Sequence, residues 1–248
     1  MLDRAIEYEK MAATEAELWW YRVLHDLVYA QLAGDNRDLA IVDAGCGTGG
    51  LLQMLIGKGF ANAVGFDLSE HAINFCQDRQ LNAFQGDMLE IGTYFLANSK
   101  DCIISNDVFY FLSEKEQLAF LRESYRLLKK GGQLIMNVPA LAAFGGMHDL
   151  SVGIDKRFSK QQLQGLIRQT DFSIKKLNYW PFLLSPIIFA VRFGQRLKMR
   201  FFKNETITSD VALPSPTVNR LLYQITTFER QYLPWTPWGS SLLVVLEK

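Results

Sequence analysis

The stretch Ile41-Val42-Asp43-Ala44-Gly45-Cys46-Gly47-Thr48-Gly49-Gly50 joins a buried-strand signal to a glycine turn and then to a helix. Leu39 to Val42 form a short apolar run suited to a parallel strand covered on both faces. Leu51, Leu52, Leu55 and Ile56 follow at helical spacing. Between them the chain has almost no side chains, so the backbone can turn tightly and a ligand can approach it. The helix that follows presents unpaired N–H groups and the positive end of its dipole, so a polar group is expected there.

Two cofactor patterns fit these letters. Gly45, Gly47 and Gly50 satisfy G-x-G-x-x-G, with Asp67 twenty residues beyond Gly47, as a nicotinamide-binding fingerprint requires. Gly45, Gly47 and Gly49 also satisfy G-x-G-x-G, with Asp43 two positions before the first glycine. That second pattern resembles motif I of the class I methyltransferases, which bind S-adenosylmethionine. The residues that follow favour it. Ala63 to Asp67 read as a second strand ending on an acid, whose two oxygens can take two ribose hydroxyls, with Leu68 beside it. Ser69 is placed to cap the next helix. Ala83 to Met88 read as a third strand closing on Asp87; by the same resemblance an acid there contacts the adenine amino group and its neighbour, Met88, packs on the ring.

Asp101 to Ser105 read as a fourth strand running into Asn106, Asp107 and Val108. This resembles motif IV, where strand end and loop line the site of transfer. Relatives commonly carry Glu-His where this chain has Tyr110-Phe111, so an aromatic replaces a polar group. Ser113-x-x-Glu116 caps a helix expected to end at Lys129-Lys130-Gly131-Gly132, before a fifth strand from Leu134 to Val138. The agreement runs in register from residue 39 to 138.

Composition sets the outer bounds. The chain has 248 residues, 49% of them hydrophobic, enough for one large core with an appendage. Twenty-six basic and twenty-six acidic residues leave no net charge, which gives no electrostatic reason to expect a nucleic-acid partner. Cys46, Cys76 and Cys102 are scattered, and three histidines form no ligand pattern, so a reduced cytoplasmic setting without a metal is expected. Met1 to Lys10 are charged and do not read as a secretory signal.

Thr14-x-x-Glu17 reads as a capping box for a helix to about Leu32. Its Trp19-Trp20-Tyr21-Arg22 string cannot enter one core stripe. It is either exposed aromatic surface or, by resemblance, a lid in which Trp20 meets the cofactor. Pro139 to Phe158 read as a long functional loop with Gly145, Gly146 and Gly153 as hinges. There His148, beside Asp149, has the unperturbed pKa of a general base, and Arg157 can hold a phosphate or carboxylate. Each reads equally as an ordinary surface charge.

Ser159-x-x-Gln162 caps a further helix, Phe172 to Tyr179 read as strand six, and Ser241 to Glu247 as strand seven. About sixty residues separate these last strands, which no short turn explains. From Trp180 to Val191 the insertion is apolar except for Ser185, with Pro181 and Pro186 expected to interrupt a helix. Arg192, Arg196, Lys198, Arg200 and Lys203 follow, interleaved with aromatic residues. Twelve helical residues rise about 18 Å against roughly 30 Å of hydrocarbon, so the segment does not span a bilayer. It suits an anionic membrane surface, a second subunit, or its own domain. A helix from Pro216, with Leu221, Leu222, Ile225 and Phe228 on one face, is expected to cover it.

Short landmarks in order, including Trp19 to Arg22, His148-Asp149, Arg157-Phe158 and Pro237 to Leu242, resemble a bacterial methyltransferase subgroup associated with polysaccharide or glycolipid assembly. The expected fold is α/β: a doubly wound Rossmann-like sheet of seven strands, mostly parallel with an antiparallel last strand, and a helical insertion between strands six and seven. The expected units are a helical lid over 1–38, a cofactor-binding core over 39–179, the insertion over 180–238 and the last strand over 239–248. The resemblance implies a methyltransferase using S-adenosylmethionine and releasing S-adenosylhomocysteine, with O-methylation of a small-molecule, glycan or lipid-linked acceptor. The implied cofactor residues are Trp20, Asp43, Gly45, Cys46, Gly47, Gly49, Asp67, Leu68, Asp87, Met88, Asn106 and Asp107. The candidate catalytic residues are His148, Asp149 and Arg157. Residues 180–203 are expected to touch the inner face of a membrane or a second copy in a homodimer. Two other readings remain: an NAD(P)-dependent oxidoreductase using the same turn, and a non-catalytic membrane-associated binding protein of the same fold.

Overall fold

The computed structural model describes residues 4–32, 34–201, 212–233 and 235–248. In chain order the elements are α1 (Arg4–Thr14), α2 (Trp19–Tyr29), β1 (Ile41–Ala44), α3 (Gly50–Gly57), β2 (Ala63–Asp67), α4 (Glu70–Asp78), β3 (Ala83–Gln85) and α5 (Ile91–Tyr94). There follow β4 (Lys100–Asn106), α6 (Glu114–Leu127), β5 (Leu128–Pro139), α7 (Met147–Val152), α8 (Lys160–Ile167), β6 (Ser173–Trp180), α9 (Ser185–Phe201), α10 (Pro216–Tyr232) and β7 (Ser241–Glu247).

The seven strands form one sheet in the order β3-β2-β1-β4-β5-β7-β6. β1 to β5 pair in parallel, and β7 runs antiparallel to both β5 and β6. All four residues of β1 are buried, as expected of a strand covered on both faces. Successive side chains point to opposite faces, so Val42 joins the core under α6 and α8 while Ile41 joins the core under α2 and α3. The strand order reverses at β1 and β4, which places a ligand crevice at the carboxyl ends of those strands.

Local capping signals mark two helices well. Ser113 and Glu116 close a capping box on α6, and Ser159 and Gln162 close one on α8. Thr14 does not cap the helix expected over 14–32. It ends α1, its hydroxyl donates to the Lys10 carbonyl at 2.7 Å, and a turn separates it from α2. The cap of α2 comes from α10: Trp19 N–H donates to Asn219 Oδ1 at 2.8 Å, and Asn219 Nδ2 donates to the Glu17 carbonyl at 2.8 Å.

Four further expectations are corrected. Lys129 to Gly132 lie within β5, which starts directly after α6 because Leu128 pairs with Lys100. The connection from 139 to 158 is not a plain loop; it contains a 3-10 turn at Ala142–Phe144 and the helix α7. In the insertion Pro186 sits in the first turn of α9, where its missing N–H costs nothing, so the wedge from Ser185 onward and the basic flank through Arg200 form one helix, while Trp180 ends β6. Phe202 and Lys203 lie outside the described residues. α10 packs on α2 rather than over the wedge, with Tyr223 Oη donating to Asp26 at 2.6 Å and Arg22 lying 4.2 Å over the Tyr223 ring. Leu221 and Phe228, expected to be covered, stay more than half exposed.

Candidate functional site

A cavity of about 960 Å³ opens at the carboxyl ends of β1, β2 and β4 and is walled by α1, α2, α7 and α9. Its floor is the glycine turn. Gly45, Gly47 and Gly49 have φ of 81°, 53° and 88°, the left-handed region that glycine enters without strain. A Cβ at Gly45 would lie 2.5 Å from Val108 Cγ2, so the turn and the loop after β4 can meet only if the residue is glycine. Gly45 and Cys46 N–H both donate to the Phe66 carbonyl, fixing the turn to the end of β2.

Asp67 holds the same turn from its other side. Its Oδ2 accepts from Gly47 N–H at 3.0 Å and its Oδ1 from Ser69 N–H at 2.9 Å, with Tyr8 Oη at 3.4 Å. The carboxylate is therefore oriented by the backbone and retains further acceptor capacity. Asp87 begins the 3-10 turn of residues 88–90 by accepting from Leu89 N–H at 2.9 Å; Met88 is buried beside it, and Leu68 is exposed at the cavity.

The polar group expected at the start of α3 belongs to the chain itself. Glu15, in the turn between α1 and α2, accepts from Gly50 N–H at 3.0 Å and from Thr48 Oγ1 at 2.6 Å, and pairs with Arg79. Arg79 also donates to the Thr48 and Ala12 carbonyls. This buried cluster ties the N-terminal helices to the glycine turn.

Asp43 and Asp107 are the acids most perturbed by their surroundings. Burial, with Asp67 and Glu15 nearby, pushes Asp43 up to about 7. Asp107 is also pushed up to about 7 by burial, against the lowering effects of Asn137 and Arg157. Its backbone has φ 53°, which aspartate tolerates better than most residues, and its N–H donates to the Asn137 carbonyl. Asn137 Nδ2 lies 3.0 and 2.9 Å from the two carboxylate oxygens, and Trp180 Nε1 donates to Asn137 Oδ1 at 2.9 Å. Trp180 stacks on Trp20 at 5.5 Å, and Trp20 meets Tyr21 edge-on. Asn106 lines the cavity, and its buried Oδ1 has no hydrogen-bond partner among the described residues.

The remaining candidates divide. His148, on α7, lines the cavity, as do Tyr110 and Phe111. Arg157 also reaches the lining but does not present a bare fork to an anion. Its Nε and Nη2 each pair with Asp149 at 2.7 Å, and its Nη1 donates to the Ala140 and Ser240 carbonyls at 3.1 Å. This pair clamps the connection after β5 to the start of β7. Asp149 and Gly49 stand behind the cavity wall. A Cβ on Gly49 would meet Leu81 and Cys76, so that glycine serves close packing. Glu15, Arg79, Asn137 and Trp180 were not legible as site residues, because only the folded chain brings them to the turn and to Asp107. Cys46, Cys76 and Cys102 are all free and buried.

The sheet order, the glycine turn and the acids at successive strand ends define the class I S-adenosylmethionine-dependent methyltransferase fold. Residues 42–136 match the family model described as "Methyltransferase domain", which covers β1 to most of β5. The tRNA (carboxymethyluridine(34)-5-O)-methyltransferase of Xenopus tropicalis is 35% identical over 111 residues, 44% of this chain and 17% of that protein. The malonyl-[acyl-carrier protein] O-methyltransferase of Brevibacillus brevis is 26% identical over 156 residues, 59% of this chain and 54% of that protein. The chain thus spans about half or less of the length of these curated relatives. A crystal structure of a SAM-dependent methyltransferase from Thermotoga maritima superposes with a TM-score of 0.61 at 17% identity, covering 99% of this chain and 96% of that one. At that identity the likeness is one of fold.

Proposed function

We propose that the protein transfers a methyl group from S-adenosylmethionine to an oxygen of a small-molecule, glycan or lipid-linked acceptor. The observation that carries this reading is the convergence of Gly47, Asp67, Asp87 and Asn106 on one cavity at the strand ends. The residues suit a cofactor that bears cationic sulfonium and ammonium groups. Asp67, with its oriented carboxylate, would take the ribose hydroxyls; Asp87, Leu68 and Met88 would frame the adenine. Asp43, Asn106 and Trp20 would surround the methionine part. Bound there, S-adenosylmethionine supplies an electrophilic methyl group.

The chain's own contribution is alignment, exclusion of water and removal of the acceptor's proton where one is present. Of the cavity groups, Asp107 and His148 are the candidates to take that proton, because Asp43, Asp67 and Asp87 are assigned to the cofactor. Asp149 and Arg157 act through position, holding α7 against the sheet. We keep the polysaccharide or glycolipid setting as the acceptor's source, with the enzyme in the cytoplasm. The outward residues Phe193 and Leu197 of α9, both more than 40% exposed, favour peripheral contact with an anionic membrane surface; a homodimer face is the competing outcome. No described helix is long and apolar enough to cross a membrane. Balanced charge favours a small acceptor over RNA, although one relative is named for a tRNA substrate.

The test is transfer of radiolabelled methyl from S-adenosylmethionine into fractionated cell extract, with lipid, glycan, small-molecule and tRNA arms. Incorporation into a non-RNA fraction, lost in Asp67→Ala, is expected. Cofactor binding with no incorporation in any fraction would instead identify a non-catalytic binding protein.

A further inference from the structure

One face of α9 looks into the cavity. Leu184, just before the helix, and Ile187, Ile188 and Val191 within it line the cavity at helical spacing. Leu222 of α10 continues the lining. Leu184 is buried against the protein, whereas Ile187 and Val191 are 62% and 53% exposed, so the middle of this apolar face is left open by the described residues.

The face is a fixed wall. At its start Glu229 accepts from Phe182 and Leu183 N–H at 2.7 and 2.8 Å, and Ser185 Oγ donates to the Pro181 carbonyl at 2.5 Å. Further along, Arg196 donates to the Ala143 and Gly145 carbonyls at 2.6 and 3.0 Å, so the guanidinium expected to meet lipid holds the connection after β5. A helix tied at its start and at Arg196 holds the side chains between those points in place.

The chemistry of the two sides differs. The strand ends supply acids and the Asn106 amide, which suit the polar cofactor. The α9 face supplies branched aliphatic carbon from Ile187, Ile188 and Val191, with the Arg192 cation at its far end. A cavity of about 960 Å³ is near the upper end of ligand pockets, which run to about 1,000 Å³, so there is volume to spare beside a cofactor at the strand ends. We propose that this face is the acceptor wall, and that the acceptor carries an extended hydrocarbon body, of acyl or isoprenoid character, lying along Ile187 and Val191 with its nucleophilic end toward Asp107. The direction of the nucleophilic end rests on the methyltransferase reading; the hydrocarbon site does not.

The experiment is calorimetric titration of octyl, decyl and dodecyl glucosides, each below its micelle-forming concentration, into protein saturated with S-adenosylhomocysteine. One saturable site is expected, tightening by about threefold to fourfold per added methylene until the cavity is full. Val191→Trp, which fills the space, should weaken dodecyl glucoside by tenfold or more and leave S-adenosylhomocysteine affinity unchanged. Ile187→Asp, at a more exposed position, should do the same and guards against a folding defect in the first variant. If the alkyl probes do not bind, or bind equally at every chain length, while S-adenosylhomocysteine binds normally, the hydrocarbon site is overturned and the methyltransferase reading stands. If alkyl probes bind as expected and S-adenosylhomocysteine does not, the wall stands and the methyltransferase reading fails.

Discussion

Asp107 is oriented in the cavity wall by three separate features. A left-handed backbone, an amide that reaches both of its oxygens and a tryptophan that fixes that amide all serve its orientation. Trp180 donating to Asn137 Oδ1 forces Nδ2 to face the acid, so the amide cannot turn its oxygen toward the carboxylate. The charged or titratable groups that act on or share a charge interaction with Asp107 are Arg157 and Tyr21, and His148 lines the same cavity. A proton acceptor works only when deprotonated, so turnover should fall as pH drops through the Asp107 pKa of about 7. Asp107→Asn should abolish this acid limb and lower turnover by roughly 10²- to 10⁴-fold, the usual worth of a positioned base. Asn137→Ala should move the limb upward, because the hydrogen bond it removes favours the charged form. His148→Ala should leave the limb in place. A limb that survives Asp107→Asn and vanishes in His148→Ala would make the histidine the base. At this scale the acids were legible because each ends a short apolar run. Their partners were not: Asn137 reads as one polar letter inside a strand, and Trp180 lies 43 residues beyond it.

The elements of the core follow local rules, and those of the roof do not. A capping box spans three residues, so Ser113 and Ser159 announce α6 and α8 in the sequence itself. The cap of α2 comes from Asn219, 200 residues away, and the same four-letter pattern at Thr14 marks the end of a helix rather than a start. Glu15 belongs to no motif in the sequence. Folding instead draws it under the N-terminus of α3, where dipole and free N–H groups favour an anion, and Arg79 completes the pair. Glu15→Ala should therefore destabilise the fold by about 2–4 kcal/mol, the scale for removing one partner of a buried pair, since Arg79 and the Gly50 N–H lose their acceptor. Urea unfolding measures this. A loss under about 0.5 kcal/mol would show that the N-terminal helices do not depend on that cluster.

At the scale of the whole molecule, the sheet positions a cofactor and the inserted helices decide what may lie beside it. The sheet was readable because its signals recur strand by strand from residue 39 to 138. The insertion was readable in composition but not in placement. Its proline-flanked apolar run and its cations became one helix, with Arg196 turned inward to hold a loop, because packing against the connection after β5 overrode the amphipathic expectation. The central claim is that the acids at the strand ends bind S-adenosylmethionine, and titration calorimetry of the intact chain at neutral pH tests it most directly. One saturable site is expected for S-adenosylmethionine and for S-adenosylhomocysteine, weakened by several-fold or more in Asp67→Ala as charge-assisted hydrogen bonds are lost, with no comparable affinity for NADH or NADPH. Tight dinucleotide binding with no binding of either adenosyl compound would contradict it.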